Sequence, residues 1–199
     1  MLLAGQVAVV SAGTAYADPV WVIGTSGSTE VPLNSVYAGS ENGAANYVCR
    51  ASYLGGIHPG KLLSGHCNIE FAGQELVRDD FEILTAEEAT VNWINDSVGF
   101  APEFAFRAGE ENGMSLYACR AQVALDETDR GLHAGKLIGE NCNIPYGGGA
   151  YLSRSYAILV IKVEEPPVAV RKPMWKAARV PGVGGKGYSA DGRALQRRR

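Results

Sequence analysis

The chain of 199 residues is 46% apolar with a formal net charge of −3, enough apolar material to pack a core in one domain or two small ones. No window approaches the eighteen or so consecutive apolar residues of a membrane-spanning helix, which excludes a helical span. The charge is unevenly divided: residues 164–199 hold nine Lys and Arg against three acids, leaving nine against eighteen in residues 1–163, so an acidic body carries a basic end.

In chain order, MLLAGQVAVVSAGTAYADP has no charged side chain before Asp18 and places Ala15-Tyr16-Ala17 as an A-x-A cleavage pattern, which predicts a signal peptide over residues 1–17. It lacks the usual Lys or Arg after Met1, and an uncleaved N-terminal strand stays open. In NYVCRASYL, residues Tyr47, Cys49 and Ala51 fall on one face and Val48 and Arg50 on the other, the alternation of a strand. Gly55 to Lys61 spells G-x-x-x-x-G-K, but Leu62 follows where a P-loop needs Ser or Thr, and Gly65-His66-Cys67 is a poor helix start. A nucleotide site is set aside on that ground.

Further strands are expected at DFEILT, VNWIND, SLYACRAQVAL and SYAILVIKV, between Gly, Asn, Pro and Ser clusters. Asn42-Gly43 and Asn112-Gly113 suit positive-φ hairpin turns, and Asn68 and Asn143 are read as turn formers too. Residues 85–91, TAEEATV, are the one helix-like patch of the body and are read as a linker. Residues 164–199 are rich in Pro and Gly, and their GVGGKG run has neither a strand before it nor a helix after it, which predicts a disordered basic tail.

An internal repeat organises the body. VYAGSENGAANYVCRA (36–51) lies over FRAGEENGMSLYACRA (106–121) with nine of sixteen positions identical. IHPGKLLSGHCNIEFAGQ (57–74) lies over LHAGKLIGENCNIPYGGG (132–149) with eight of eighteen identical, after five extra residues in the second copy. Boundaries of 18–85, 86–91 for the linker and 92–163 follow. The second copy has Arg130 where the P-loop pattern needs Gly55, but both copies keep His-x-Gly-Lys-Leu: His58, Gly60 and Lys61, then His133, Gly135 and Lys136. The lysine is read as standing on a tight glycine turn, with an ordinary solvated lysine as the alternative. The simplest architecture is all-β, two small antiparallel sheets related by a pseudo-twofold axis.

Four cysteines stand at matching places, Cys49 with Cys67 and Cys119 with Cys142. Duplication and the leader favour one bridge within each copy, closing loops of roughly 20 residues and contributing on the order of 3 kcal/mol each. Zinc on Cys49, His58, His66 and Cys67 is the rival, but Asn141 replaces His66 in the second copy.

The run Ala-Gly-x-acid-x-Gly, then Tyr-x-x-Arg-Ala, then Gly-Lys, then aromatic-Gly-Gly, present in order in both copies, resembles the DM-nine repeat over about residues 20 to 161. That family occurs as tandem pairs in mannose-binding lectins and as the lectin module of natterin-like toxins. The resemblance implies sugar bound by Glu41 with Lys61 and by Glu111 with Lys136, with Arg50, His58, Arg120 and His133 as secondary candidates. Three positions depart from the pattern: the acid is Glu where Asp is usual, Phe71-Ala72-Gly73 interrupts the first aromatic-Gly-Gly, and Ala150 stands where the first copy has Glu75. The two sites are therefore expected to be unequal.

The physics suits a sugar, since an ionised carboxylate accepts from two vicinal hydroxyls while an ammonium donates. Two weak sites on one chain raise avidity for a multivalent target. If no sugar binds there, the acid–lysine pairs reduce to surface ion pairs worth under about 1 kcal/mol. One acid, one lysine and one histidine per copy do not compose a glycosidase pair, so no enzyme, catalytic residue, metal or cofactor is expected.

The reading is a secreted or periplasmic lectin for mannose-type glycans or polysaccharide, with a homodimer as its assembly and no specific nucleic acid as partner. The alternative is a structural or adhesive cell-envelope module that binds protein. In either case the tail could hold an anionic surface through charge.

Overall fold

The computed structural model describes residues 17–96, 101–123 and 129–162. The expectations for the leader and for the tail lie outside the described residues. Fourteen strands and no helix occur among them. The first seven are β1 (Val20–Ile23), β2 (Tyr37–Glu41), β3 (Ala44–Tyr53), β4 (Gly56–Leu63), β5 (His66–Phe71), β6 (Gln74–Arg78) and β7 (Glu82–Thr85). The second seven are β8 (Val91–Asp96), β9 (Arg107–Glu111), β10 (Met114–Gln122), β11 (Leu132–Ile138), β12 (Asn141–Tyr146), β13 (Gly149–Ser153) and β14 (Tyr156–Ile161).

Every pairing is antiparallel. The order β1-β7-β3-β4-β5-β6 recurs in reverse as β13-β12-β11-β10-β14-β8, with β2 and β9 off this path beside β3 and β10. The two strand sets join edge to edge where Gly149 pairs with Gln74, so two expected sheets are one continuous sheet.

Hairpin chemistry sets the register. Asn42 (φ 50°) with Gly43 (81°) turns β2 into β3, and Asn112 (50°) with Gly113 (78°) turns β9 into β10, as Asn-Gly requires. Three readings change. The Gly-Lys pairs do not stand on turns: Gly60 and Gly135 lie inside β4 and β11. A Cβ there would come within 2.1 Å of Asn68 O and 2.2 Å of Asn143 O, so glycine lets the next strand approach. Asn68 and Asn143 are buried within β5 and β12 rather than in turns, and their amides donate to the His66 and Asn141 carbonyls at 3.3 and 2.9 Å. Residues 88–90 form a turn closed by Thr90 N donating to Glu87 O at 2.8 Å, not a helix.

The alternation on β3 places Cys49 and Ala51 against Leu62, Cys67, Ile69, Phe81 and Ile83. The disulfide Cys49–Cys67 sits in that core and Cys119–Cys142 in its counterpart, so none of the four thiols is left to hold zinc. Val48, on the other face, enters a third core drawn from both strand sets, with Val36, Ala38 and Leu84 meeting Phe106, Ala108, Ala118, Ala134 and Leu159. The sets also interlock through backbone. A Cβ on Gly39 would lie 2.1 Å from Leu132 O, and one on Gly109 would lie 2.0 Å from Ile57 O. The glycine of the repeated Ala-Gly pair thus lets each copy press against a strand of the other.

Candidate functional site

Lys61 pairs across from Val48, and Lys136 from Ala118. Strand alternation therefore sends both lysines to the shared core, while Leu62 and Leu137 turn to the disulfide cores. Both lysines are enclosed, at 0% and 1% exposure, so they are not solvated surface cations. A buried ammonium needs partners, and the two copies supply different ones.

Around Lys61, Nζ donates to the Glu41 carboxylate and lies 3.4 Å from Glu75 Oε1 and 5.1 Å from the centre of the Tyr146 ring. His133 closes the cluster from the other copy: Nδ1 lies 3.1 Å from Glu41 Oε2 and Nε2 lies 3.4 Å from Asp129 Oδ2. Tyr146 donates its hydroxyl to Asp129 at 3.3 Å and packs edge-on against the His133 ring. Gly148 N donates to Glu75 Oε2 at 2.8 Å across the junction of the sets. The Glu41 and Glu75 side chains keep 15% and 14% exposure, so they form the outward rim of a cluster whose lysine is enclosed. Burial pushes the Glu41 carboxyl up, but hydrogen bonds from His133 and Lys61 outweigh it and hold the group below its ordinary value.

Around Lys136 the parts are rearranged. Its Nζ lies 3.2 Å from His58 Nδ1 and 3.2 Å from Glu70 Oε2, with the Phe71 ring at 5.7 Å. His58 Nε2 faces the Tyr53 carbonyl at 3.1 Å. Since a carbonyl only accepts, Nε2 carries the proton and Nδ1 accepts from the ammonium. Glu111 makes no ion pair with Lys136, so the second expected acid–lysine pair is not brought together. Glu70 takes that role, at the position where the second copy has Pro145, while Ala150 replaces Glu75 and Phe71 replaces Tyr146.

The secondary candidates divide. His58 and His133 each reach the lysine cluster of the opposite copy, because three residues along a strand, roughly 10 Å, separate each from its own lysine. Arg50 donates Nε to Glu82 Oε2 at 2.7 Å and lies over Trp21 at 4.2 Å, away from both lysines. Arg120 lies over Trp93 at 4.6 Å and donates to Ala38 O at 3.3 Å.

His58 gives a measurable consequence. Burial, then the Lys136 charge, pushes its pKa below the ordinary 6.5. As pH falls through 6.5 the unfolded chain takes up this proton before the folded one, so stability falls on acidification, by at most about 1.4 kcal/mol per pH unit. Glu41, also lowered, adds a second loss below pH 4.5. The unfolding midpoint in urea is expected to fall between pH 7 and 5, and less steeply in His58→Gln; equal slopes would remove His58 from the account.

Residues 40–129 match the family model described as the DM9 repeat. No curated protein matches the chain. Among solved structures, the nematode sperm cell motility protein MFP2B is similar, with a TM-score of 0.54 and 18% identity, over 77% of this chain and 47% of that one. The likeness is one of fold, and the chain spans about half the length of that protein. The repeated Ala-Gly, Tyr-x-x-Arg-Ala and Gly-Lys elements and the antiparallel all-β fold accompany a DM9-repeat match that covers residues 40–129.

Proposed function

We propose that the chain is a carbohydrate-binding lectin for mannose-type glycans. The observation that carries the reading is the Glu41–Glu75 rim, two carboxylates on an enclosed lysine. An ionised, immobilised carboxylate accepts two vicinal hydroxyls without first having to be ordered. Lys61 and His133 act as positioning residues behind Glu41, and Glu41 and Glu75 are the contact groups. Glu111 is the contact group of a second, weaker site without Lys136, for it lacks the lysine that fixes Glu41. Two disulfides suit a secreted or periplasmic protein. The proposal includes cleavage after residue 17, repeats at 18–85 and 92–163, a homodimer, and a basic tail of residues 164–199 that adds charge attraction to an anionic surface.

The test is a glycan array with Glu41→Gln beside the unmodified chain. Lys61 keeps Glu75 in this variant, so it is expected to stay folded and to lose mannose-type signal by at least about tenfold, the loss of roughly one charged hydrogen bond. Retained signal in folded Glu41→Gln would remove the rim from the site. No glycan signal from the folded unmodified chain would favour an adhesive module that binds protein.

A further inference from the structure

Outside the lysine clusters, the two copies hold clefts at matching places, each built on an arginine, and the residue paired across from that arginine differs between them. The cleft of the first copy, about 390 Å³, is lined by Arg50, Ser52, Asp80, Phe81 and Glu82 among others. That of the second, about 450 Å³, is lined by Asn95, Asp96, Arg120, Gln122, Ser155 and Tyr156 among others. Strand pairing sets Arg50 opposite Glu82 and Arg120 opposite Ala157. The first cleft therefore carries its own carboxylate on its arginine, Nε to Glu82 Oε2 at 2.7 Å.

Arg120 has no ion pair among the described residues. Its contacts are the Ala38 carbonyl and the Trp93 indole, and its Nε is buried with no hydrogen-bond partner. That nitrogen is the one that Arg50 gives to Glu82. Burial, the larger influence, lowers its pKa. A half-desolvated guanidinium with an unmatched N–H favours a carboxylate that completes its fork. Guanidinium is also weakly hydrated, which makes that exchange less costly than for an ammonium. The rest of the wall suits a polyol, since the exposed Asn95, Gln122 and Ser155 offer amide and hydroxyl groups. Asp96, at the same wall, is an acceptor for hydroxyls and disfavours a second anion there.

We propose that the Arg120 cleft is a ligand site for an acidic saccharide, whose carboxylate takes on Arg120 the place that Glu82 takes on Arg50. The carboxylate part stands on the comparison of the two clefts, and the saccharide part rests on the lectin reading. Only the second copy offers the site, because Glu82 occupies the first.

The experiment titrates the full chain with glucuronate, glucose and inorganic phosphate, followed through the Trp93 indole N–H resonance. Glucuronate is expected to shift that resonance saturably, with glucose and phosphate each at least about tenfold weaker. Ala157→Glu, which rebuilds the ion pair of the first cleft, is expected to weaken glucuronate at least about tenfold while keeping the unfolding midpoint, and Arg120→Gln to do the same to binding. Equal binding by Ala157→Glu, equal affinity for phosphate, or no saturable shift by glucuronate would each overturn the proposal. Glu41→Gln is expected to leave the glucuronate titration unchanged while removing the mannose-type array signal, so failure here and failure of the lectin reading are separate results.

Discussion

Residues 17–90, prepared alone with the Cys49–Cys67 bridge intact, are expected to stay unfolded under conditions in which the full chain is folded. This fragment keeps its disulfide core but only four of the nine buried members of the shared one, Val36, Ala38, Val48 and Leu84. The missing half also satisfies its polar groups: Asn46 donates to Leu132 O at 2.8 Å and accepts from Ala134 N at 3.4 Å, and it is 0% exposed. The cut leaves that amide and Lys61 without their cross-copy partners, and a chain of this size has little burial to spare. Amide dispersion in a proton–nitrogen correlation spectrum decides the matter. A dispersed spectrum would mean that each copy folds on its disulfide core and that the shared core adds only affinity between copies.

Lys61→Ala should lower stability by about 3–5 kcal/mol, the range for removing one partner of a buried pair. Glu41 and Glu75, both within reach of the missing ammonium, would then face each other and His133 without a fixed cation between them. Adding Glu41→Gln to Lys61→Ala is expected to recover part of the loss, because it removes one of the two stranded carboxylates, and the double-mutant cycle isolates that coupling. The readout is the urea midpoint at constant slope. A loss under about 1 kcal/mol would give the pair the character of an exposed one. This expectation also explains why Glu41→Gln is the better probe of sugar binding: it alters the rim and leaves Lys61 paired to Glu75.

Much of the frame was legible in the residues. Asn42-Gly43 and Asn112-Gly113 announced their turns because only a few residue types adopt positive φ cheaply. The alternation of Tyr47, Val48 and Cys49 announced two faces, and matched Cys49, Cys67, Cys119 and Cys142 announced the bridges within each copy. The site was legible in part. Glu41 and Lys61 meet, and the Glu75-to-Ala150 and Phe71-to-Tyr146 differences did mark unequal clusters. Glu70, Asp129 and the exchange of His58 and His133 between copies went unread. Asp129 meets His133 and Tyr146 of its own copy, but the partners of Glu70, His58 and His133 lie in the other copy, at sequence separations such as 92 between His133 and Glu41, and no local pattern encodes such a distance. Arg50, a secondary sugar candidate in the sequence, pairs with Glu82, a strand neighbour that register alone supplies.

By itself the sequence determined the local rules of this protein: period-two strands, glycine turns, duplication, and the pairing of nearby cysteines. Only the tertiary structure decided that Gly60 and Gly135 lie inside strands, that both lysines are enclosed, and that each cluster is completed by the opposite copy. The physical reason is that the first set depends on conformations a few residues long. The second depends on which faces exclude water when two copies close on one shared core, and there the desolvated charges have to find partners wherever the chain places them.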